Sequence, residues 1–238
     1  VKRALLLFDI DGTLLSTNGL AGRALGRAMR EVYGTAGPID TFSWSGKTDP
    51  QIVRELLSAA GLPPEDIRSG LPRALARYLL HLEEALVPGS VQVLPGVIEI
   101  LEELRRRGDV AVGLLTGNIA GGARIKLTAG DLAHHFTVGA FGSDDEDRDR
   151  LVPVARRRAR ARFHDDFPGS RTIVVGDAEA DIRCARAGDA RAVAVASGWT
   201  GRDVLAALAP NVLLDSLATP GALHAILASD RPRETGRN

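Results

Sequence analysis

Cysteine is almost absent from these 238 residues: Cys184 stands alone. A single thiol excludes an internal disulfide and fits a reducing compartment. Lysine is nearly as scarce, occurring only at positions 2, 47 and 126, so almost all positive charge is arginine. We read that skew as genome composition bias rather than function. Net charge is missing too, because thirty basic residues meet thirty acidic ones. With no basic surplus, nothing favours nucleic acid or an anionic membrane as a partner. No apolar run approaches the ~20 residues needed to span a bilayer, and no signal-peptide pattern precedes the first core-like segment. These absences lead us to expect a soluble, cytoplasmic protein. At this length the chain can bury a real core, as one domain with an insertion or as two small domains.

What is present centres on Leu5–Leu15, LLLFDIDGTLL. Leu5 to Phe8 reads as a short buried strand. Asp9 and Asp11 follow in alternation, and Gly12 supplies a turn. Such a strand end delivers two carboxylates into one small volume. Like charges that close do not both stay ionised unless a cation or a shared proton compensates them. A bare Asp-x-Asp-Gly also fits a solvated turn, so the rest of the chain has to decide.

From Ser16 to Ser90 the periodicity is helical and no strand is convincing. Leu20, Ala24, Leu25, Ala28, Met29 and Val32 share one stripe, ended by Gly34. Phe42, Trp44 and Gly46-Lys47-Thr48-Asp49 form a loop before Pro50, a good helix-starting residue. Ile52, Val53, Leu56 and Leu57 make the next apolar face, and Leu71 to Leu86 a third helix. From Val91 strands and helices alternate, with strands predicted at 110–115, 137–141, 171–175, 191–195 and 212–214. That rhythm implies right-handed crossovers and a parallel sheet covered on both faces. The expected fold class is therefore α/β, a Rossmann-like core of residues 1–15 and 91–229, with an all-helical insertion at 16–90. The polar end, 230–238, reads as a disordered tail.

In an open parallel sheet, ligands bind beyond the carboxyl ends of the strands. Asp9 and Asp11 follow the first strand, Thr116-Gly117-Asn118 the strand at 110–115, and Gly176-Asp177 the strand at 171–175, with Asp181 just beyond. DIDGTLL, LLTGN and VVGDAEADI, in that order, resemble the first, second and fourth motifs of the haloacid dehalogenase-like hydrolases, a superfamily made up mainly of Mg-dependent phosphatases. The resemblance is to the phosphoglycolate phosphatase and β-phosphoglucomutase-like branch, whose core carries a helical cap.

The resemblance implies a hydrolase of small phosphorylated metabolites that works with Mg2+, a hard cation suited to carboxylate and water oxygens. It makes Asp9 the nucleophile that forms an aspartyl-phosphate and a metal ligand. Asp11 would protonate the leaving group and then activate water, its carbonyl also meeting the metal. Asp177 would be a direct metal ligand, with Asp181 ligating or orienting what surrounds the ion. Thr116, Gly117 and Asn118 would hold the phosphoryl group. The third motif departs from the pattern. Its usual Lys is missing, for no lysine follows Lys126. Arg148 and Arg150, in SDDEDRDR, are the candidates, and relatives with a similar loop favour Arg148.

Other features carry less. Ser45-Gly46-Lys47-Thr48 suggests a P-loop, but that would need glycine at position 41, which is Thr41, and no strand leads in. GKTDPQI recurs in similar capped phosphatases, which makes Lys47 a candidate substrate-binding residue; a plain helix cap from Thr48 or Asp49 is the competing reading. An EF-hand starting at Asp145 would need Gly at 150 and Glu at 156, and both are Arg. His134-His135 lacks ligand partners at a suitable spacing, and Cys184 reads as packing. Asp11 argues against a dehalogenase, whose leaving halide needs no proton, while Lys47 keeps a phosphonatase-type Schiff base barely open. A phosphomutase of the β-phosphoglucomutase type shares every motif and stands as the alternative. A phosphoacceptor signalling domain would take its phosphoryl group on a later strand and lack the helical insertion.

Overall fold

The computed structural model describes residues 2–228, so the tail expected to be disordered, 230–238, lies outside the described residues. In chain order the elements begin with strand β1 (Ala4–Phe8) and the two-residue β2 (Leu15–Ser16). Three helices follow, α1 (Leu20–Tyr33), α2 (Asp49–Ala59) and α3 (Pro64–Ala85), then β3 (Gln92–Val93). The remainder alternates: α4 (Val97–Arg107), β4 (Val110–Thr116), α5 (Ala120–Ala129), β5 (Gly139–Phe141) and α6 (Leu151–Phe163). It closes with β6 (Thr172–Gly176), α7 (Glu179–Ala187), β7 (Arg191–Val195), α8 (Arg202–Ala207), β8 (Val212–Leu214) and α9 (Ala222–Leu227).

The six longer strands pair in parallel in the order β5-β4-β1-β6-β7-β8. β1 is central, Leu5 standing opposite Ala111 on one side and Thr172 on the other. The chain goes out from β1 to β4 and β5, then returns to β6 on the other flank. That reversal opens a crevice at the carboxyl ends of β4, β1 and β6. β1 is buried throughout, and its side chains alternate between the two faces as a strand requires. Leu6 and Phe8 join Leu101, Leu104 and Ile226 on one face, while Leu5 and Leu7 join Leu151, Val152 and Ala155 on the other. Each such leucine contributes roughly 1.5–3 kcal/mol by leaving water.

The helices between β2 and β3 have an apolar centre of their own. Leu25 and Met29 of α1 meet Val53, Leu56 and Leu57 of α2 and Tyr78 and Leu82 of α3, with Ile119 reaching in from the start of α5. Two differences from the sequence reading have physical causes. The third helix starts at Pro64, not Leu71, because Glu65 and Asp66 suit a first turn and Ile67 is already buried. Pro72 inside it removes one backbone donor without ending it, held by the buried Ala74 and Tyr78 beyond. The second difference is the antiparallel pair β2–β3, with Leu15 opposite Val93, which ties the two crossings of the chain together at the two ends of the insertion and was not among the predicted strands.

Candidate functional site

Asp9 leaves the end of β1 buried, its backbone N–H donating to Val175 O at 2.9 Å. The chain then turns at Gly12 with φ +84°, where a Cβ would lie 2.4 Å from Asp177 Oδ2. Only glycine allows both that backbone and that approach. Asp177, after β6, accepts from Thr13 Oγ1 at 3.0 Å and from the Trp199 N–H at 3.3 Å. Asp181, in the first turn of α7, accepts from the Ala178 N–H at 2.9 Å. β1 and β6, adjacent in the sheet, thus bring three buried acids together, each offering an oxygen within 4.8 Å of the others'.

Burial is the largest influence on these carboxyls, and it disfavours their charged forms. It raises Asp9 from the ordinary range, opposed mainly by Arg148 and reinforced by Asp11. It lifts Asp177 to about 8, with Asp9 and Asp181 adding repulsion. Asp181 is raised as well, again by burial first, with Arg148 opposing. Arg148 is the cation among them: its Nη2 lies 3.2 Å from Asp9 Oδ1 and bonds Asp181 Oδ1, and its Nη1 donates to Gly46 O at 3.1 Å. Burial works against its charge, yet Asp181 and Asp9 outweigh that and hold it firmly protonated. Arg148 is 3% exposed, whereas the Arg150 side chain is 72% exposed and faces Asp145 and Asp147. With all three acids ionised, one arginine would leave two negative charges uncompensated. A divalent, oxygen-seeking cation such as Mg2+ fits that donor set.

Asp11 points elsewhere. Its Oδ2 accepts from Asn118 Nδ2 at 2.7 Å and from Lys126 Nζ at 2.6 Å. Asn118 also bonds the Thr116 hydroxyl at 2.8 Å, and that hydroxyl is among the weaker influences lowering Asp9. Lys126 was missed in the sequence. It sits mid-helix with no motif spacing, and the scarcity of lysine, read as compositional bias, was the one available signal.

The loop before α2 docks onto the end of β4. The Asp49 N–H donates to Gly117 O at 2.8 Å, and the Asp49 carboxylate accepts from the Ile119 N–H at 2.8 Å. A Cβ on Gly117 would lie 2.1 Å from Lys47 O, so the contact requires glycine. Thr48 caps α2 and donates to Glu146 O at 3.0 Å. Asp49 is thus more than the helix cap it could have been: it is buried, and burial lifts it to about 6 against the pull of Lys126. Between this loop, α1 and the strand ends lies a cavity of about 330 Å³ that reaches from Asp9 to Arg23, Trp44 and Lys47. Lys47 is paired with Glu55 and stands 4.7 Å over the Phe42 ring. A second cluster forms where the sequence offered His134-His135 no partner: Glu102 of α4 comes within reach of both, but Arg105 already pairs with Glu102 at 2.8 Å. Cys184 is buried against Asp181, its thiol pushed up to about 12 by burial.

Acids after a central parallel strand, a hydroxyl after one neighbour and an acid pair after the other define an α/β enzyme with a cation-seeking site at its strand ends. The chain belongs to the haloacid dehalogenase-like hydrolases, whose family model matches residues 6–195. It is 27% identical over 228 residues to the probable phosphatase IndB of Dickeya dadantii, covering 94% of this chain and 95% of that protein. It is 29% identical over 228 residues to a plasmid-encoded phosphoglycolate phosphatase of Cupriavidus necator, covering 95% and 94%. In fold it resembles the crystal structure of a predicted phosphoglycolate phosphatase from Haemophilus somnus, with a TM-score of 0.68, 20% identity and coverage of 91% and 95%. The protein is thus an enzyme, a hydrolase of the phosphatase kind. No helix among the described residues is long and apolar enough to cross a membrane.

Proposed function

We propose that this hydrolase is a Mg-dependent phosphomonoesterase that acts on a small phosphorylated metabolite through an aspartyl-phosphate. The observation that carries the reading is the meeting of Asp9, Asp177, Asp181 and Arg148 in one buried volume at the carboxyl ends of β1 and β6. Asp9 is the nucleophile: an Asp9 oxygen bonds phosphorus as the ester oxygen leaves. Arg148 opposes the rise that burial imposes on Asp9 and faces the phosphoryl oxygens as they gain charge. Asp9, Asp177 and Asp181 would hold Mg2+, which when bound supplies the positive charge that lets an anionic nucleophile approach an anionic ester. Thr116 and the backbone after β4 orient the phosphoryl group. Asp11 gives its proton to the leaving oxygen, then takes one from the water that cleaves the aspartyl-phosphate.

Residues 16–90 form the cap of this proposed enzyme, joined to the core of 1–15 and 91–229 at the β2–β3 pair. Its docked loop excludes water from the site. The cavity of about 330 Å³ suits a small substrate, and Lys47 and Arg23 on its cap side suit an anionic one. Phosphoglycolate leads the compounds to assay, since a relative carries that name. The test is phosphate release from a metabolite panel with Mg2+ or EDTA, for wild type and Asp9→Asn. Release is expected only with Mg2+ and only with Asp9 intact; near wild-type turnover by Asp9→Asn would sink the covalent route.

A further inference from the structure

We propose that Lys126 is a positioning residue for proton transfer: it pins one oxygen of Asp11 so that the other faces the leaving group. This rests on the role given to Asp11 above. Twenty-seven of the thirty basic residues are arginine, and Lys126 is the lysine buried in the core, 4% exposed on α5. A compact ammonium on an apolar stem reaches a confined carboxylate that a planar guanidinium would have to fit edge-on.

The geometry decides which Asp11 oxygen works. Lys126 Nζ, at 2.6 Å, and Asn118 Nδ2, at 2.7 Å, both donate to Oδ2. Neither nitrogen accepts a hydrogen bond in these states, so Oδ2 is fixed as the acceptor and the transferable proton belongs on Oδ1. In the first step the Asp9–phosphorus bond forms, the ester P–O bond breaks, and the Oδ1 proton goes to the departing oxygen. Lys126 keeps its own protons throughout. Asn118 is itself held by Thr116, at 2.8 Å. Asp49, the first residue of α2, faces the same ammonium, so Lys126 stands where the start of α2 meets the acid that follows β1.

The test compares kcat/KM for p-nitrophenyl phosphate and unsubstituted phenyl phosphate. The two share a ring but differ in how far the leaving oxygen depends on a donated proton. Lys126→Met is expected to lose about 10²-fold on phenyl phosphate and under about tenfold on the nitrophenyl ester, the span open to general-acid catalysis. Asp11→Asn should show the same skew, and the double variant should fall no lower than Asp11→Asn alone. Equal losses on both esters for Lys126→Met, with Asp11→Asn skewed, would overturn the positioning role while leaving Asp11 its own. Equal losses for Asp11→Asn would instead overturn the acid assignment and the proposal with it. Lys126→Gln, which keeps one N–H donor, should show a weaker skew and carries the comparison should the methionine variant not fold.

Discussion

Removing Arg148 takes away the one cation, among the described residues, that pairs with both Asp9 and Asp181. Its Nη2 stands 3.2 Å from Asp9 Oδ1. At an effective dielectric near 20, two unit charges at that distance attract by about 5 kcal/mol. Desolvation offsets much of this in the intact pair, but deleting one partner strands the other, at about 3–5 kcal/mol. Arg148→Ala should therefore lower unfolding stability by that order in EDTA, read from urea melts. The electrostatic support of the transition state goes too, on the order of 10²–10³ in kcat. Arg148→Lys should recover part of both losses, because one ammonium cannot reach Asp9, Asp181 and Gly46 O together as the guanidinium does. Arg150→Ala, at an exposed side chain, should stay within about 0.5 kcal/mol of wild type with kcat nearly unchanged. If Arg150→Ala proved crippling and Arg148→Ala silent, the assignment of the third motif would be wrong by two residues.

Two further outcomes follow from the site. Burial, with Asp9 and Asp181 adding, lifts Asp177 from 3.8 to about 8, so without metal the folded state binds a proton more tightly than the unfolded one. Its stabilising contribution is complete below about pH 4 and is lost as pH rises through about 8. Melting temperature in EDTA should fall over that window and fall less with excess Mg2+; identical slopes in the two would refute the shared site. Lys47→Ala should raise KM for an anionic metabolite such as phosphoglycolate more than for p-nitrophenyl phosphate, and equal effects on both would remove Lys47 from the substrate's surroundings.

Strand ends were the legible part of this protein. Four apolar residues ahead of Asp9, and the runs ahead of Thr116 and Asp177, announce both the strand and what it presents, because a buried parallel strand writes itself as an unbroken apolar run. The residue pattern narrowed the third motif to Arg148 or Arg150, with only the resemblance favouring Arg148, because the loop alternates basic and acidic residues and packing alone separates the buried side chain from the exposed one. Lys126 and Asp49 could not be found that way. Each meets its partner across more than sixty residues of chain, Asp11 for one and Ile119 for the other. A polar residue on an otherwise ordinary helix looks the same whether it faces water or a buried acid. The β2–β3 pair was invisible for a different reason: two residues are too few to show alternation.

The charges of the site divide into two settings, and under the proposed mechanism that division lets acids two residues apart do different work. Asp9 shares Arg148 with Asp181, while Asp11 turns to Lys126 and Asn118. Asp177 is left with a hydroxyl and a backbone N–H, both neutral. Were Asp11 also drawn to Arg148, both acids of the DxD pair would crowd one cation, and a phosphoryl dianion would meet a purely acidic wall. With Lys126 holding Asp11 aside, Arg148 is left to Asp9 and Asp181 and, in the proposed mechanism, to the phosphoryl group. In the proposed mechanism Asp11 then remains available to exchange a proton with the leaving oxygen. Tuning apart two similar carboxyls by their surroundings is how one fold supports nucleophile and acid together, and here the β4–α5 segment, through Asn118 and Lys126, supplies the second setting.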